Sequence, residues 1–311
     1  ETIQGPRHLS FSLNADGEGV ALYQTDGVTL IDSISFGVQS EDVSLGRVTD
    51  GASAMSIFSP ATPGGANVNT YANFVVSAAS YVLAPVAPGA IASAFGVNLT
   101  AAGASATTTP LPTTIGGVTV TITDDKNVAR LAPLFFTGPG QINFQVPEGT
   151  SQGRARLSIR RQDGTTVNGD LLIDSIAPGL FSANANGLGV GVINALRVSA
   201  AGAQTYLPTA AYNQAQQQFN AVPVSLGAAT DNTFLILYGT GIRGVKNVTD
   251  VTVEVGGIPV SVGFAGAQEG FVGLDQINIG PLPRTLAGRG NVQAVIRVNG
   301  RRANRVNITI Q

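Results

Sequence analysis

The sequence predicts an all-β protein built from serial immunoglobulin-like β-sandwich modules. The chain has 39 Gly and 16 Pro in 311 residues, a composition that supplies tight turns and disfavours long helices. Short runs of alternating apolar and polar residues lie between turn-forming residues, as in half-buried strands. The second part of the chain also contains a weak internal repeat. A chain of this length accommodates two or three modules.

The first predicted module is a meander of short strands within residues 1–69. Its connections contain Asp-Gly pairs, at Asp16-Gly17 and Asp26-Gly27, which favour hairpin turns. A stretch rich in Pro and Gly then precedes a change to Ala, Val and Pro, so we place a boundary near Asn69. The predicted strands are Leu9 to Leu13, Gly19 to Tyr23, Thr29 to Phe36 and Ala54 to Phe58.

The internal repeat predicts that the rest of the chain is a duplicated module, with copies at residues 70–200 and 201–311. Three pairs of segments match in the same order at similar offsets. Between the copies, residues 201–222 are polar and Gln-rich, and the pattern allows either a long loop or a short helix. The matching pairs are Ile115-Gly116-Gly117-Val118 with Val255-Gly256-Gly257-Ile258, Gln141-Ile142-Asn143 with Gln276-Ile277-Asn278, and Ala94-Phe95-Gly96 with Leu237-Tyr238-Gly239.

The charge content is low, at 12% of residues, and no Asp, Glu, Lys or Arg lies between Asp50 and Asp124. Such surfaces suit either faces covered by neighbouring molecules or a Ser- and Thr-rich secreted protein. The net charge of −2 argues against nucleic-acid binding. The chain has no Cys, which excludes disulfides and thiolate metal sites. It starts at Glu1 without a Met or a signal segment, which predicts a processed product or a piece of a longer chain.

The longest charge-free apolar stretch, Phe74 to Val97, has nearly the length of a membrane span. Pro85, Pro88 and Gly89 interrupt it, and a lipid-exposed helix does not tolerate such interruptions without other support. We therefore predict two strands and a turn here, and no membrane span.

Residues 13–67 contain strings that resemble the second half of a bacterial lamin tail domain. The resemblance implies the later strands of an immunoglobulin-like sandwich, with its opening strands missing upstream of Pro6. The matching strings are Asn14-Ala15-Asp16-Gly17-Glu18, Leu22-Tyr23, Asp26-Gly27, Ile31 to Gly37, Ser44-Leu45-Gly46-Arg47, Asp50-Gly51 and Thr62 to Asn67.

Residues 75–311 carry strings similar to an uncharacterised C-terminal domain of secreted proteins of the Solibacter type. The resemblance implies secretion and a terminal position behind variable modules, but it brings no activity with it. The two copies also resemble immunoglobulin-like TIG domains in strand order. The strings include Val86-Ala87-Pro88-Gly89, Pro133-Leu134-Phe135-Phe136, Gln141 to Pro147, Ala177-Pro178-Gly179-Leu180-Phe181, Tyr238-Gly239-Thr240-Gly241 and Gly270 to Asn278.

Two glycine motifs resemble sites of known chemistry. Gly239 to Gly244 has the spacing of a dinucleotide fingerprint, and Gly149 to Gly153 has that of a nucleophile elbow around Ser151. Both motifs require a following helix, whereas Lys246 to Val255 and Arg154 to Arg161 are strand-like. We therefore predict turns at both places.

No other group of residues predicts a catalytic, cofactor-binding or metal site, and we expect no cofactor. His8 is the only His, and the acidic pairs Asp16 with Glu18 and Asp124 with Asp125 have too few ligands for a dedicated calcium loop. Two groups of Arg are expected on outward strand faces that are balanced by acids elsewhere, and the alternative is contact with an acidic polysaccharide or a neighbouring subunit. These groups are Arg154, Arg156, Arg160 and Arg161, and Arg297, Arg301, Arg302 and Arg305.

Together these observations predict a non-enzymatic structural protein of the extracellular space or cell surface, in a filament, sheath or layer. Its expected partners are other copies of itself, which complete the first module, or cell-surface and matrix components. The alternative is an adhesin or carbohydrate-binding terminal module of a larger exported protein. Absence of Trp weakens a sugar-stacking platform. The candidate sugar-binding rings are Tyr71, Tyr81, Tyr206, Tyr212 and Tyr238.

Overall fold

The structure, a computed structural model, describes residues 12–13, 18–36, 44–47, 55–58 and 73–311. Antiparallel strands form nearly all of the regular structure in these residues, which confirms the predicted all-β class. The backbone divides into two compact units, residues 1–69 and residues 70–311.

The described residues of the first unit form two antiparallel strand pairs, β1 with β2 and β3 with β4. Gly27 has a φ of +71°, and the Asp26 carboxylate accepts hydrogen bonds from the N–H groups of Val28 and Thr29. The predicted Asp26-Gly27 hairpin turn is therefore confirmed, whereas Asp16-Gly17 lies outside the described residues. The strands are β1 (Glu18–Tyr23), β2 (Leu30–Phe36), β3 (Ser44–Arg47) and β4 (Met55–Phe58).

The second unit contains two β-sandwiches and two short 3-10 turns, Val248–Asp250 and Arg284–Leu286. Strands of the first sandwich are β5 (Asn73–Ser77), β6 (Ile91–Gly96), β7 (Ala104–Ser105), β8 (Thr119–Thr123), β9 (Ala129–Leu131), β10 (Leu134–Thr137), β11 (Gln141–Gln145), β12 (Gly153–Arg160) and β13 (Thr166–Ile173). Strands of the second are β14 (Gly179–Leu180), β15 (Ile193–Val198), β16 (Gln204–Pro208), β17 (Ala210–Asn213), β18 (Gln218–Ala221), β19 (Asn232–Thr240), β20 (Val251–Val255), β21 (Ile258–Val260), β22 (Val262–Ala267), β23 (Asp275–Ile279), β24 (Gly290–Val298), β25 (Arg301–Arg302) and β26 (Val306–Ile310).

In the first sandwich, a sheet of order β5-β6-β11-β10-β7 packs against one of order β13-β12-β8-β9. Side chains alternate along each strand, so that Ile142 and Phe144 of β11 meet Val120, Ile122 and Leu157 in one buried core. The apolar stretch from residue 74 to 97 forms β5, a turn and β6, as predicted. No helix in the described part of the chain is long and apolar enough to cross a membrane.

In the second sandwich, a sheet of order β16-β15-β19-β23-β22, with β14 beside β19, faces a sheet of order β21-β20-β24-β25, with β26 beside β24. The two sheets share a core that includes Leu235 and Leu237 of β19 and Val253 of β20. This sandwich starts earlier than predicted, because β14 and β15 precede residue 201 and both pair with β19. The repeat could not locate this boundary, because the first matching segment of its second copy begins only at Leu237.

Residues 201–222 form strands, so both a long loop and a short helix were wrong predictions. They provide the edge strand β16 and the β17-β18 hairpin. Gln and Asn side chains at the tip of this hairpin hydrogen-bond to one another, as Asn220 does to Gln216 at 2.6 Å. The Gln-rich run is therefore part of a strand pair. In this pair the ring of Tyr212 packs edge-on against Phe219, with ring centroids 5.3 Å apart.

The repeat is present in the strand register. Gln141 lies opposite Phe95 and Gln276 lies opposite Tyr238, and each Gln amide donates to the Asn two residues later, at 2.6 and 2.7 Å. The two Gly-Gly turns, however, are not equivalent. Both have positive φ, but the turn at Gly116-Gly117 precedes β8, whereas the turn at Gly256-Gly257 follows β20. Since β8 and β20 each pair with the long strand of their sheet, β12 and β24, the turns lie at opposite ends of equivalent strands.

Candidate functional site

The dinucleotide-like glycines are explained by close backbone packing rather than by a ligand. A Cβ on Gly239, Gly241 or Gly244 would lie 2.3, 2.0 or 2.5 Å from the carbonyl oxygens of Gly179, Ala177 and Ser175. Residues 175–179 thus run directly against this loop, and only Gly leaves room for them. The predicted turn is confirmed.

The backbone donors of that loop are used by the protein itself. The N–H groups of Ile242 and Arg243 donate to one oxygen of the buried Asp275 carboxylate, at 2.6 and 3.1 Å, and the Arg243 Nε donates to the other at 2.8 Å. Burial raises the pKa of Asp275, and these donors oppose the rise. The carboxylate therefore occupies the position that a phosphate group would need.

The elbow-like segment is likewise a structural turn. Strand β12 begins at Gly153, and the N–H of Ser151 donates to the carboxylate of Asp124 at 3.1 Å. Asp124, whose side chain is fully buried, also accepts from the N–H groups of Lys126 and Val128 and from the Arg130 guanidinium at 2.7 Å. Its oxygens are thus engaged in joining two loops, and the predicted turn is confirmed.

Several sequence-derived candidates fall outside the described residues, namely His8, Asp16 and Tyr71. Among the residues that are described, no three His, Cys, Asp or Glu side chains lie close enough to hold a metal ion together.

The second unit contains a cleft of about 550 Å³ at the joint between its two sandwiches. The first sandwich contributes the turn after β5 and the outer face of its five-stranded sheet. The second sandwich contributes β19, the loop after β14 and the loop between β22 and β23. Five aromatic rings line the cleft: Tyr81, Phe135, Phe181, Tyr238 and Phe271.

Two of the lining residues have a positive φ, a backbone conformation that is unfavourable for residues with a side chain. Tyr81 has a φ of +56° and Ala185 a φ of +50°, whereas every other described non-glycine residue in this region of φ is Asn or Gln. Asn tolerates the left-handed conformation, but Tyr and Ala adopt it at a cost of roughly 1 kcal/mol. Tyr81 is held there by its contact with Phe95, at a centroid distance of 6.3 Å. Such strain is typical of functional sites.

The polar groups of the cleft are neutral, and several have unused donor capacity. Asn143 accepts hydrogen bonds through Oδ1 from Ser93 and Gln141, and Gln268 accepts through Oε1 from Gly270, which leaves both amide N–H₂ groups available. The Tyr238 hydroxyl accepts from Asn194 at 3.2 Å and retains its proton for a ligand. Burial raises the pKa of Tyr81, so its hydroxyl is also a neutral donor.

The joint that forms this cleft is close and hydrogen-bonded. The Ile91 N–H donates to Thr240 Oγ1, which itself donates to the Gly273 carbonyl, both at 2.8 Å. A Cβ on Gly187 would lie 2.2 Å from the Ser80 carbonyl oxygen, so the loop that carries Ala185 packs against the turn that carries Tyr81. The cleft walls are therefore set by backbone contact.

The structure brings together two of the five tyrosines proposed from the sequence, Tyr81 and Tyr238, and places Tyr206 and Tyr212 elsewhere. Sequence reasoning did not identify the three Phe of the cleft. All of them belong to strings that carried the resemblance to secreted-protein domains, where each follows a Pro or Gly by one to three residues. They are Phe135, Phe181 and Phe271.

Comparisons with known proteins give weak likenesses to solved structures and no assignment to a family. No family model matches the chain, and no curated protein matches it. Among solved structures, SGBP-B of the mixed-linkage glucan utilization locus of Bacteroides ovatus, in complex with a mixed-linkage heptasaccharide, is similar at 12% identity and a TM-score of 0.29. The match covers 73% of this chain and 42% of that one, and it is too weak to transfer a ligand or an activity.

The Asp124 carboxylate leads to a prediction about acid stability. Burial alone would raise the pKa of Asp124, but the hydrogen bonds from Val128, Ser151, Arg130 and Lys126 outweigh it and hold the pKa well below 3.8. This stabilisation is complete above the ordinary Asp pKa and is lost as the pH falls toward the lower, folded-state value. Asp124→Asn should therefore lower the urea midpoint at neutral pH and flatten its decrease between about pH 5 and pH 2.

Asp170→Asn provides the control, because Asp170 is an exposed carboxylate on the same sheet. It should leave the neutral-pH midpoint almost unchanged. Equal midpoints for Asp124→Asn and the unmodified protein at all pH values would contradict the role given to Asp124.

Proposed function

We propose that the protein is a non-enzymatic, extracellular binding module that holds a neutral glycan in the cleft between its two sandwiches. The observation that carries this proposal is the combination of five aromatic rings, unused amide and hydroxyl donors and no charged side chain among the described residues that line the cleft. The proposal corresponds to the carbohydrate-binding alternative derived from the sequence.

The chemistry of the lining suits a sugar ring. The C–H faces of a pyranose pack on aromatic rings, and its hydroxyl and ring oxygens accept hydrogen bonds from amide N–H₂ and phenol groups. Phe271 is 69% exposed and lies at the margin of the cleft, where it could cover a bound sugar residue. Clefts at the junction of two modules are common ligand sites.

Other ligand classes fit less well. A phosphate or carboxylate would find no cation in the cleft, since its described lining contains neither Arg nor Lys. A peptide bound as an added strand needs a free sheet edge. Asn143 and Tyr238, by contrast, lie on β11 and β19, whose two edges are already paired.

The extracellular location rests on the resemblance of residues 75–311 to C-terminal domains of secreted proteins and on the low charge content. In this proposal the two sandwiches form the ligand-binding end of an exported protein.

One observation favours a second candidate function, the subunit of a surface filament. The β1-β2 hairpin exposes large apolar side chains, with Leu22 60%, Leu30 51% and Ile31 56% accessible. Exposed apolar groups on a hairpin are stabilised when a neighbouring chain covers them, by about 1.5–3 kcal/mol for each fully buried side chain. A segment from another copy could supply that cover.

The glycan proposal is tested by affinity electrophoresis of the protein in gels that contain neutral soluble polysaccharides such as dextran, galactomannan or β-glucan. Retardation by at least one polysaccharide is expected. Phe271→Ala should reduce affinity by roughly two- to tenfold, because a ring contact contributes about 0.5–1.5 kcal/mol. Tyr81→Phe should weaken binding less, because it removes only one donor.

Phe264→Ala is the matched control, since Phe264 is 41% exposed on β22 and lies outside the cleft. This variant should bind as the unmodified protein does. Binding that is equally reduced by Phe264→Ala and Phe271→Ala, or no retardation by any neutral polysaccharide, would refute the proposal.

The filament candidate is tested by deleting residues 1–69 and imaging both forms by negative-stain electron microscopy. Residues 70–311 form a compact unit with its own two cores, so the shortened protein should stay folded. Fibres formed by the full chain and absent after deletion would support the candidate. Fibres that persist after deletion, or a full chain that stays monomeric, would exclude assembly through this hairpin.

A further inference from the structure

The central strand of the first sandwich carries a row of arginines on its outer face. Along β12 the side chains of Ala155, Leu157 and Ile159 enter the core, whereas Arg154, Arg156 and Arg160 point to solvent, with Ser158 between them. At about 3.3 Å per residue, these positions span about 20 Å in a straight line. We name this surface, formed by Arg154, Arg156 and Arg160, the arginine row.

Hydroxyl groups accompany the row along the neighbouring strand β8. The strand register places Thr123 opposite Arg156, Thr121 opposite Ser158 and Thr119 opposite Arg160. On the other side, in β13, the only acid is Asp170, opposite Arg156. The described face therefore has an excess of positive charge, with exposed Leu131 and Leu172 beside the polar residues.

The arginine row has no acidic partner within ion-pair distance among the described residues. Several other Arg side chains of the second unit form ion pairs, as Arg130 does with Asp124 at 2.7 Å, Arg243 with Asp275 at 2.8 Å, and Arg301 with Asp174. Arg284 and Arg289 instead donate to backbone carbonyl oxygens. The sequence-based expectation that acids elsewhere balance these strand arginines stays a prediction, and on the neighbouring strands β8 and β13 the one acid is Asp170, opposite Arg156. Three neighbouring like charges repel one another, so the row lowers the stability of the protein when no ligand is bound.

The second sandwich shows that the fold does not need the row. Its equivalent strand, β24, pairs with β20 as β12 pairs with β8. The outward positions of β24 are Asn291, Gln293, Val295 and Arg297, and Glu254 of β20 adds an acid beside them. The outward positions of β24 itself hold a single Arg, Arg297, which lies opposite Arg302 of β25. The architecture therefore does not require three outward arginines on this strand, and the arginines of β12 need another explanation.

We infer that the arginine row binds a carboxylated polysaccharide lying along β12. Guanidinium groups form paired hydrogen bonds with carboxylates, and the Thr and Ser hydroxyls beside them suit sugar hydroxyls. A row about 20 Å long matches a few sugar residues of an extended chain, and an outer sheet face admits the middle of a polymer. This cationic site is separate from the neutral cleft, and the inference does not depend on the glycan binding proposed there.

Binding of sodium alginate, a soluble uronic-acid polymer, to the full chain tests this inference. By isothermal titration calorimetry at low ionic strength the unmodified protein should bind alginate, and added salt should weaken binding steeply, because exposed charges are screened. The triple variant Arg154→Gln, Arg156→Gln, Arg160→Gln should bind at least about tenfold more weakly, since three charge-assisted contacts are lost. Arg156→Gln alone should cause a smaller loss in the same direction.

The control removes the same charge elsewhere: Lys246→Gln, Arg289→Gln, Arg297→Gln, all exposed in the second sandwich. Each triple variant changes the net charge from −2 to −5, by removing three positive charges. Only the β12 variant should lose alginate binding, while both retain the circular dichroism spectrum of the unmodified protein. Equal losses, no alginate binding by the unmodified protein, or binding only to vesicles that contain phosphatidylglycerol would overturn the inference.

Discussion

The close backbone contact between the two sandwiches is the constraint on which the rest of the second unit depends. At three glycines the chain of the second sandwich approaches the first so closely that an added Cβ would overlap its atoms. The Cβ would lie 2.2 Å from the Ser80 carbonyl oxygen at Gly187, 2.5 Å from the side chain of Ile91 at Gly273 and 2.8 Å from the hydroxyl of Ser77 at Gly179. The hydrogen bond from Ile91 to Thr240 crosses the same joint. Because both walls of the aromatic cleft are attached to it, the joint determines the shape of the cleft.

The two sandwiches share the arrangement of a duplicated module but present different outer surfaces. In both copies the inward side chains of the Gln-Ile-Asn strand fill a core, as Ile142 and Ile277 do, and the outward Gln and Asn hydrogen-bond in the same way. Outward positions on the opposite sheets are not constrained by packing. There β12 carries the arginine row, whereas β24 carries mainly neutral residues. We therefore expect binding sites at the outward positions where the two copies differ.

The sequence predicted the fold class, the turn character of both glycine motifs and the equivalence of the two Gln-Ile-Asn strands, because short-range patterns determine these features. It wrongly predicted that the two Gly-Gly turns are equivalent. It could not predict that Gly239, Gly241 and Gly244 face residues 175–179, since that contact joins segments about 65 residues apart. The start of the second sandwich was missed for the same reason, because β14 and β15 pair with β19 although β16, β17 and β18 lie between them in sequence. The cleft combines five rings from five separate segments, and no single stretch of sequence reveals such a site.

The most direct measurement of the joint compares Gly187→Ala with Gly300→Ala by urea denaturation. The two glycines have nearly the same φ, +76° and +77°, but a Cβ on Gly300 meets no atom within 4 Å. Both variants should lose about 1–2 kcal/mol from the left-handed backbone, and Gly187→Ala should lose roughly 2 kcal/mol more, because its methyl group collides with Ser80. Equal losses of unfolding free energy in the two variants would contradict a tightly packed joint.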